Sequence, residues 1–200
     1  MKIGILISGR GSNMVAIVEA VQSGEIPDSE VAIVISDKTS AEGAERAKAR
    51  SIETVVITRK GRSREEHDEE IIGELKRRGV ELVCLAGYMR LLSADFVRAF
   101  PNKIVNIHPS LLPSFKGLDA QRQAFEYGVK ITGCTVHFVD EDLDHGAIIL
   151  QKVVEISDTD TAESLSAKIL EHEHALYVAA LKRIVKGNYK ILERRVVFGE

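Results

Sequence analysis

The 200-residue sequence is poor in several residue types that point to particular classes of protein. It has no tryptophan, four prolines and only two cysteines, Cys84 and Cys134, which lie in apolar runs without a C-x-x-C motif. We therefore expect buried, reduced thiols rather than a disulfide framework or a cysteine metal site. No apolar run approaches the length of a membrane-spanning helix, and the first residues lack the basic and apolar regions of a secretion signal.

An excess of positive charge is also absent, because 27 lysines and arginines stand against 30 acidic residues. The net charge of -3 and the isoelectric point near 6.1 argue against a protein that coats nucleic acid, although Arg10, Arg64 or Arg90 could still hold an anion. Hydrophobic residues, in contrast, make up 44% of the chain, which suffices for the core of one α/β domain. We expect a cytoplasmic protein that binds small molecules and neither nucleic acid nor membrane.

Apolar runs rich in valine and isoleucine alternate with amphipathic stretches along the first half of the chain. The predicted strands cover residues 3–7, 31–36, 54–57 and 82–86, and the predicted helices cover 13–23, 41–50 and 63–78. This alternation is typical of repeated βαβ units, in which helices cover both faces of a mostly parallel, twisted sheet.

The second half departs from this alternation. A strand over 103–108 is followed by a loop with two prolines and by a predicted helix over 119–127. Two strands at 134–139 and 147–154, joined by an acidic segment, predict an antiparallel addition to the sheet. A long helix over 161–186, capped by Thr159 or Thr161, and an extended edge at 189–198 complete a single Rossmann-like α/β domain.

The most informative residues stand at the end of the 103–108 strand. Residues two apart on a strand point to the same side, so Asn106 and His108 should face one spot. Pro109 disfavours continuation of the strand and places the pair at the carboxyl edge, where open α/β sheets bind ligands. A carboxamide can stabilise an oxyanion and an imidazolium can donate a proton, the two tasks that acyl transfer requires. Because no G-x-S-x-G serine accompanies them, we expect the nucleophile to come from a substrate; a lone structural histidine is the alternative.

A glycine-rich turn, Ser8-Gly9-Arg10-Gly11-Ser12-Asn13, joins the first strand to the first helix. Its glycines let backbone N–H groups approach an anion at the helix N-terminus, which suits a phosphate. The turn has neither the third glycine of a dinucleotide fingerprint nor the lysine of a Walker A loop. A tight turn without any ligand is an equally good interpretation of these residues alone.

The acidic segment Asp140-Glu141-Asp142-Leu143-Asp144-His145-Gly146 predicts a solvated hairpin loop or a calcium loop. The position of its glycine and the flanking strands count against calcium. If Asp144 reached His108, its carboxylate would stabilise the protonated imidazole; otherwise Asp144 is a turn residue.

The other histidines do not predict a metal site. His172 and His174 are two residues apart on a predicted helix, about 200° around it, so they cannot share a metal as an i, i+4 pair could. His137 alternates with apolar residues on a strand and should be a hydrogen-bonded structural residue, whereas His67 lies in a charged helix and should be solvated. We therefore expect no catalytic metal.

Four segments carry a family resemblance: residues 8–13, Ala86-Gly87-Tyr88-Met89-Arg90-Leu91-Leu92, Asn106-x-His108-Pro109-Ser110-Leu111-Leu112-Pro113, and Leu143-Asp144-x-Gly146. In this order they resemble the phosphoribosylglycinamide formyltransferases, which belong to the folate-dependent formyltransferases. The resemblance runs from Met1 to about Tyr177. It implies that 10-formyltetrahydrofolate, a cosubstrate, donates its formyl group to the amine of glycinamide ribonucleotide in purine biosynthesis, without a metal or a covalent enzyme intermediate.

The resemblance also implies roles for individual residues. The catalytic residues would be Asn106, His108 and Asp144. The ribonucleotide would contact Gly11, Ser12, Asn13 and Glu173. The folate would contact Arg64, Met89, Arg90, Leu91, Leu92, Asn106, Asp140, Glu141, Asp142, Leu143 and Asp144. The Leu112–Pro113 bond would be cis, and residues that depart from those usual in the family are Asp119, Ala120, Gln121 and Leu170.

One domain over residues 1–200 would then comprise a phosphate-binding half at about 1–100, a catalytic and folate-binding half at about 101–188, and a tail at 189–200. A formyltetrahydrofolate hydrolase is the nearest alternative, but it usually carries an N-terminal regulatory domain that a chain beginning at its first strand is not expected to have. A methionyl-tRNA formyltransferase would need a C-terminal tRNA-binding domain and a more basic surface. A non-catalytic binding module would be expected to lose Asn106, His108 or Asp144. The oligomeric state, monomer or homodimer, stays open.

Overall fold

The structure, a computed structural model, describes residues 1–199 and divides into two units, Met1–Asn106 and a second that begins at Ile107. All strand pairs of the first unit are parallel, whereas antiparallel pairs predominate in the second. The fold is a mostly parallel mixed sheet with helices and antiparallel C-terminal strands, which confirms the predicted Rossmann-like α/β class.

Strands and helices alternate along the first unit. Its elements are β1 (Lys2–Ile7), α1 (Ser12–Gln22), β2 (Glu30–Ser36), α2 (Glu42–Lys48), β3 (Thr54–Val56), α3 (Arg64–Arg77), β4 (Leu82–Leu85), α4 (Ala94–Ala99) and the start of β5 (Ile104–His108). The strand order is β3-β2-β1-β4-β5. Every predicted element of this half is present, which shows that hydrophobic periodicity sufficed to find them.

Burial explains why these runs form parallel strands. Ile5 and Leu6, consecutive residues of β1 that point to opposite faces, are fully inaccessible to solvent, as expected for a strand covered on both faces. The start of α3 is fixed by a capping box, in which the Ser63 hydroxyl accepts the Glu66 N–H and the Glu66 carboxylate accepts the Ser63 N–H.

Two features of the first unit differ from the predictions. The sequence analysis misses α4, whose cap is the Ser93 hydroxyl accepting the Phe96 N–H, because so short a helix shows little periodicity. The prediction that His67 is solvated is wrong. Its side chain is completely buried, and its Nε2 lies 2.8 Å from the Ile57 carbonyl oxygen. The outer face of α3 is charged, but His67 shares the inner face with Ile71 and Leu75.

The second unit follows the end of β5. Its elements are α5 (Ala120–Tyr127), β6 (Ile131–Phe138), β7 (Ile148–Glu155), α6 (Ala162–Val185), β8 (Tyr189–Leu192) and β9 (Arg195–Phe198), in the strand order β6-β7-β9-β8. The pairs β6–β7 and β8–β9 are antiparallel, and β9 joins β7 in parallel through Arg195 and Ile148. Of the two residues predicted to cap α6, Thr161 does so by accepting the Ser164 N–H.

The strand β6 begins three residues earlier than predicted, at Ile131, and it includes Gly133. A Cβ at this position would lie 1.9 Å from the Lys152 carbonyl oxygen of β7, so only glycine permits so close an approach. The tail, predicted as one extended edge, folds into the β8–β9 hairpin. Both cysteines are free thiols and buried, as expected. No helix among residues 1–199 has the length and apolar character that crossing a membrane requires.

Candidate active site

The carboxyl end of β5 carries the two residues that the sequence singles out. Asn106 is half-buried and His108 is 5% exposed, and the strand ends at His108 as Pro109 follows. Their spacing on a regular strand directs both side chains to the same side. A carboxamide and an imidazole therefore stand next to each other at the edge where α/β sheets bind ligands.

Both nitrogens of the His108 ring face an acceptor. Nε2 lies 2.8 Å from the Phe115 carbonyl oxygen, and Nδ1 lies 3.4 Å from Oδ2 of Asp144. A carbonyl oxygen can only accept, so Nε2 carries a hydrogen in this arrangement. The ring is thus held between a neutral and a negatively charged acceptor, so Asp144 reaches His108, which is the first of the two alternatives that the sequence leaves open.

The Asp144 carboxylate is itself fixed by its surroundings. Its side chain is 9% exposed, its backbone is left-handed with φ 47°, and its Oδ2 accepts the Gly117 N–H at 2.8 Å. On the other side, Oδ1 lies 3.8 Å from Nε2 of His137, whose Nδ1 donates to the Phe138 carbonyl oxygen at 2.8 Å. Burial lowers the pKa of His137. The hydrogen-bonded role predicted for His137 is confirmed, but its proximity to Asp144 is not foreseen from the sequence.

The segment that follows His108 is held by two polar residues that the sequence analysis misses. The buried Thr135 hydroxyl donates to the Ser110 carbonyl at 2.7 Å and accepts the Leu112 N–H at 3.1 Å. The Gln151 side-chain amide donates both to that hydroxyl and to the Leu112 carbonyl, each at 3.0 Å. The Leu112–Pro113 bond is cis, as the resemblance implies. Alternation along β6 places Thr135 and His137 on one face of the strand, and this alternation is the signal from which the position of Thr135 could have been predicted.

The acidic loop between β6 and β7 keeps its charges near the surface. Asp140, Asp142 and the 47% exposed Leu143 precede Asp144. His145 Nδ1 lies 2.8 Å from Oδ2 of Asp140 and 3.7 Å from Oδ2 of Asp142. The loop is thus closed by an ion pair if His145 is protonated, a contact that the sequence did not predict.

The glycine-rich turn of the first unit ends at Gly11, whose φ of 71° places it in the left-handed region at the start of α1. A Cβ at Gly11 would lie 2.8 Å from the Cα of Gly43 at the beginning of α2. Ser12 and Asn13 are the first residues of α1, so they stand at the positive end of the helix dipole. Such a helix start favours an anion, and the turn before it is too tight for any residue but glycine at position 11.

Segment 87–92 follows β4 in the same unit and exposes apolar side chains. Met89 and Leu91 are 62% and 57% exposed, whereas Tyr88 is buried, which raises its pKa. The Arg90 guanidinium donates to the buried Asp37 carboxylate through Nε at 2.5 Å. Arg64, the first residue of α3, is exposed beside Glu65.

The remaining residues singled out by the resemblance lie in the second unit. Glu173 is buried on α6, and its charge adds to burial in raising the pKa of the Cys134 thiol to about 12. Asp119 has left-handed backbone at the start of α5. On α5 Ala120 is buried and Gln121 is half-buried, and on α6 Leu170 is half-buried. Among residues 1–199, no group of three or more histidine, cysteine or acidic side chains could hold a metal ion.

Comparisons with known proteins agree with this geometry. The formyl transferase family model matches residues 1–181. The phosphoribosylglycinamide formyltransferase of Haemophilus influenzae is 42% identical over 95% of this chain and 90% of its own length. The crystal structure of glycinamide ribonucleotide transformylase 1 from Symbiobacterium toebii superposes with a TM-score of 0.97 at 47% identity, covering 100% of this chain and 94% of that one.

A longer relative contains a similar sequence as one part of a larger protein. The trifunctional purine biosynthetic protein adenosine-3 of Gallus gallus is 44% identical over 96% of this chain, which spans only 19% of that protein. The relationship therefore concerns one part of the trifunctional protein. The extent of the family match and the full-length bacterial relatives together show that this chain belongs to the formyl transferase family, among the phosphoribosylglycinamide formyltransferases.

Proposed function

We propose that this chain transfers the formyl group of 10-formyltetrahydrofolate to the amine of glycinamide ribonucleotide, a step of purine biosynthesis. The observation that carries the proposal is the end of β5, where Asn106 and His108 share a side of the strand and the Asp144 carboxylate lies 3.4 Å from the His108 ring. The folate is a cosubstrate that brings the one-carbon group. The side chains of this protein then have to bind the reactants and stabilise charge.

In the proposed reaction the substrate amine attacks the formyl carbon and forms a tetrahedral intermediate with a negatively charged oxygen. The Asn106 carboxamide and the protonated His108 ring donate hydrogen bonds to that oxygen. When the bond between the formyl carbon and N10 of the folate breaks, the amine has lost a proton and N10 has gained one. The products are the formylated ribonucleotide and tetrahydrofolate, and no enzyme nucleophile takes part.

The contact between His108 and Phe115 fits this role. We propose that the developing oxyanion replaces the Phe115 carbonyl as the acceptor of the His108 Nε2–H, because a charged oxygen is the stronger acceptor. Asp144 remains on the Nδ1 side, where its negative charge stabilises the protonated ring. The Gly117 N–H, 2.8 Å from Oδ2, keeps the carboxylate oriented.

Most of the proposed ligand contacts lie in three segments, residues 9–13, 87–92 and 140–144. The ribonucleotide loop, residues 9–13, binds the phosphate with backbone N–H groups at the start of α1, and Glu173 contacts the same ligand. The folate segment, residues 87–92, and the acidic loop at 140–144 contact the folate, together with Arg64. The exposed side chains of Met89, Leu91 and Leu143 support this proposal, because an aromatic ring system would cover apolar surface that water now meets.

We further propose that both units belong to one formyltransferase domain, residues 1–200, that acts in the cytoplasm on small molecules and without nucleic acid. A monomer or a homodimer would serve the chemistry equally, because every proposed catalytic residue comes from one chain. Light scattering in solution distinguishes the two states.

The proposal is tested by measuring formyl loss from 10-formyltetrahydrofolate with and without glycinamide ribonucleotide. Transfer should be fast only when the amine is present, because bound amine supplies a proximity that free water lacks. Fast release of formate without the ribonucleotide would make the protein a hydrolase instead, and Asp119, Gln121 and Leu170 would be examined first.

Two buried histidines provide a matched pair of variants. His108→Gln should lower turnover by about two to four orders of magnitude, as should Asn106→Ala, with the fold intact by circular dichroism. His67→Gln replaces a ring that also lies 2.8 Å from a backbone carbonyl oxygen, and it should change turnover by less than about threefold. Near-normal turnover of folded His108→Gln would refute the catalytic role.

A further inference from the structure

Ser8 stands directly before the ribonucleotide loop, but its hydrogen bonds run to the folate segment. The residue is 4% exposed, and its hydroxyl oxygen accepts the Met89 N–H at 2.9 Å. Its own N–H donates to the Gly87 carbonyl oxygen at 3.2 Å. The two segments, which follow the neighbouring strands β1 and β4, are thus joined by a side chain as well as by backbone.

Two further side chains hold the folate segment from other directions. The Asp37 carboxylate, at the end of β2, accepts from Arg90 Nε at 2.5 Å. The buried Asp68 carboxylate of α3 accepts the Ser93 N–H at 2.6 Å. These bonds attach the folate segment to the end of β2 and Ser93, the residue that follows the segment, to α3, whereas the Ser8 bond attaches the segment to the chain of the ribonucleotide loop.

The ribonucleotide loop has little room to move independently of Ser8. The Gly9 carbonyl accepts the Gly43 N–H at 3.0 Å, and Gly11 packs so closely on Gly43 that a Cβ would reach within 2.8 Å of its Cα. A ligand that displaces or immobilises this loop therefore acts on Ser8, which precedes it by one peptide bond.

We infer that the Ser8 hydroxyl couples the ribonucleotide loop to the folate segment, so that the ribonucleotide and the folate bind cooperatively. This inference rests on the proposed function, which assigns one ligand to each segment. A ligand that immobilises the loop also immobilises, through Ser8, the main chain at Met89, so the second ligand has less motion to suppress. By linkage, each ligand tightens the other by the same factor. Ser8 is a positioning residue that acts through Met89.

The test measures the affinity of 5-formyltetrahydrofolate, a stable isomer of the donor, by calorimetry with and without saturating glycinamide ribonucleotide. In the unaltered protein the ribonucleotide should tighten folate binding by about threefold to tenfold, the range that one neutral hydrogen bond can transmit. In Ser8→Ala this ratio should fall to about one. The reverse titration, ribonucleotide with and without the folate, should give the same two ratios.

Ser36→Ala is the matched control. Ser36 is also a buried serine at the end of a parallel strand, but its hydroxyl bonds Lys38 of its own turn, so its loss should leave the ratio unchanged. Ser8→Thr keeps the hydroxyl and should restore the coupling. If Ser8→Ala does not fold, Ser8→Cys keeps the volume but offers only a weak acceptor.

The outcomes separate this inference from the proposed function. An unaltered protein that fails to bind either ligand overturns the proposed function. A protein that binds both without cooperativity, or that keeps its cooperativity in folded Ser8→Ala, overturns the coupling through Ser8 and leaves the proposed function standing.

Discussion

The Thr135 hydroxyl should contribute more to stability than any other single hydroxyl that holds the segment after His108. Thr135→Val keeps the shape of the side chain but removes the partner of the Ser110 carbonyl, at 2.7 Å, and of the Leu112 N–H, at 3.1 Å. Each of these two buried groups left without a partner costs about 1–3 kcal/mol, so we expect a loss of about 2–6 kcal/mol in the free energy of unfolding. In urea this loss corresponds to a midpoint lower by about 1–3 M.

Thr132 on the same strand provides the control. It is as buried as Thr135, but its hydroxyl oxygen has no hydrogen-bond partner among residues 1–199. Thr132→Val therefore removes a buried polar group without breaking a bond, and it should leave stability unchanged or raise it by up to about 1 kcal/mol. Equal midpoints for the two variants would show that the hydrogen bonds of Thr135 do not stabilise the loop, and the reasoning would fail.

Three further predictions concern the site and its surroundings. Gly9→Val adds a side chain where no atom lies within 4 Å, so it should weaken ribonucleotide binding without loss of stability. Gly11→Val should weaken binding and also lower the melting temperature, because its side chain clashes with Gly43. Thermal melts and binding titrations distinguish the two effects. Asp144→Asn should lower turnover by about tenfold or more, because an amide no longer places a negative charge beside the His108 ring; full activity of the folded variant would leave Asp144 as a turn residue. The Lys168 ammonium, with other donors, lowers the pKa of Asp160 from 3.8 to about 2. Asp160→Asn should therefore destabilise the protein above about pH 4, and this difference in stability should disappear as the pH falls towards about 2. Urea titrations at several pH values measure the difference.

The residues at the end of β5 could be predicted because their signal is local. The spacing of Asn106 and His108, followed by Pro109, fixes their side of the strand whatever the rest of the chain does. The alternating apolar runs likewise fixed the strands and helices, since each run had only to bury its own face. The cap of α6 at Thr161 follows from the same local chemistry.

Contacts between distant residues could not be predicted in this way. The bond from Ser8 to Met89 spans 81 residues, and the Thr135 bonds depend on the path of the loop after β5. The register of β6 against β7 shifts between Val136 and His137, and a bulge of this kind changes which residues face each other across the two strands. The prediction that His67 is solvated was wrong for a related reason, because the charged residues along α3 say little about which single residue falls on its inner face.

The outermost strands bear on how the protein behaves at high concentration. β3, at the end of the strand order in the first unit, has three residues, and β8, at the end of the order in the second, has four. Open edges this short give another chain few main-chain partners, and the exposed Lys190 of β8 adds charge that opposes intermolecular strand addition. Lengthening either strand with apolar residues would therefore be expected to favour aggregation, even where the fold itself became more stable.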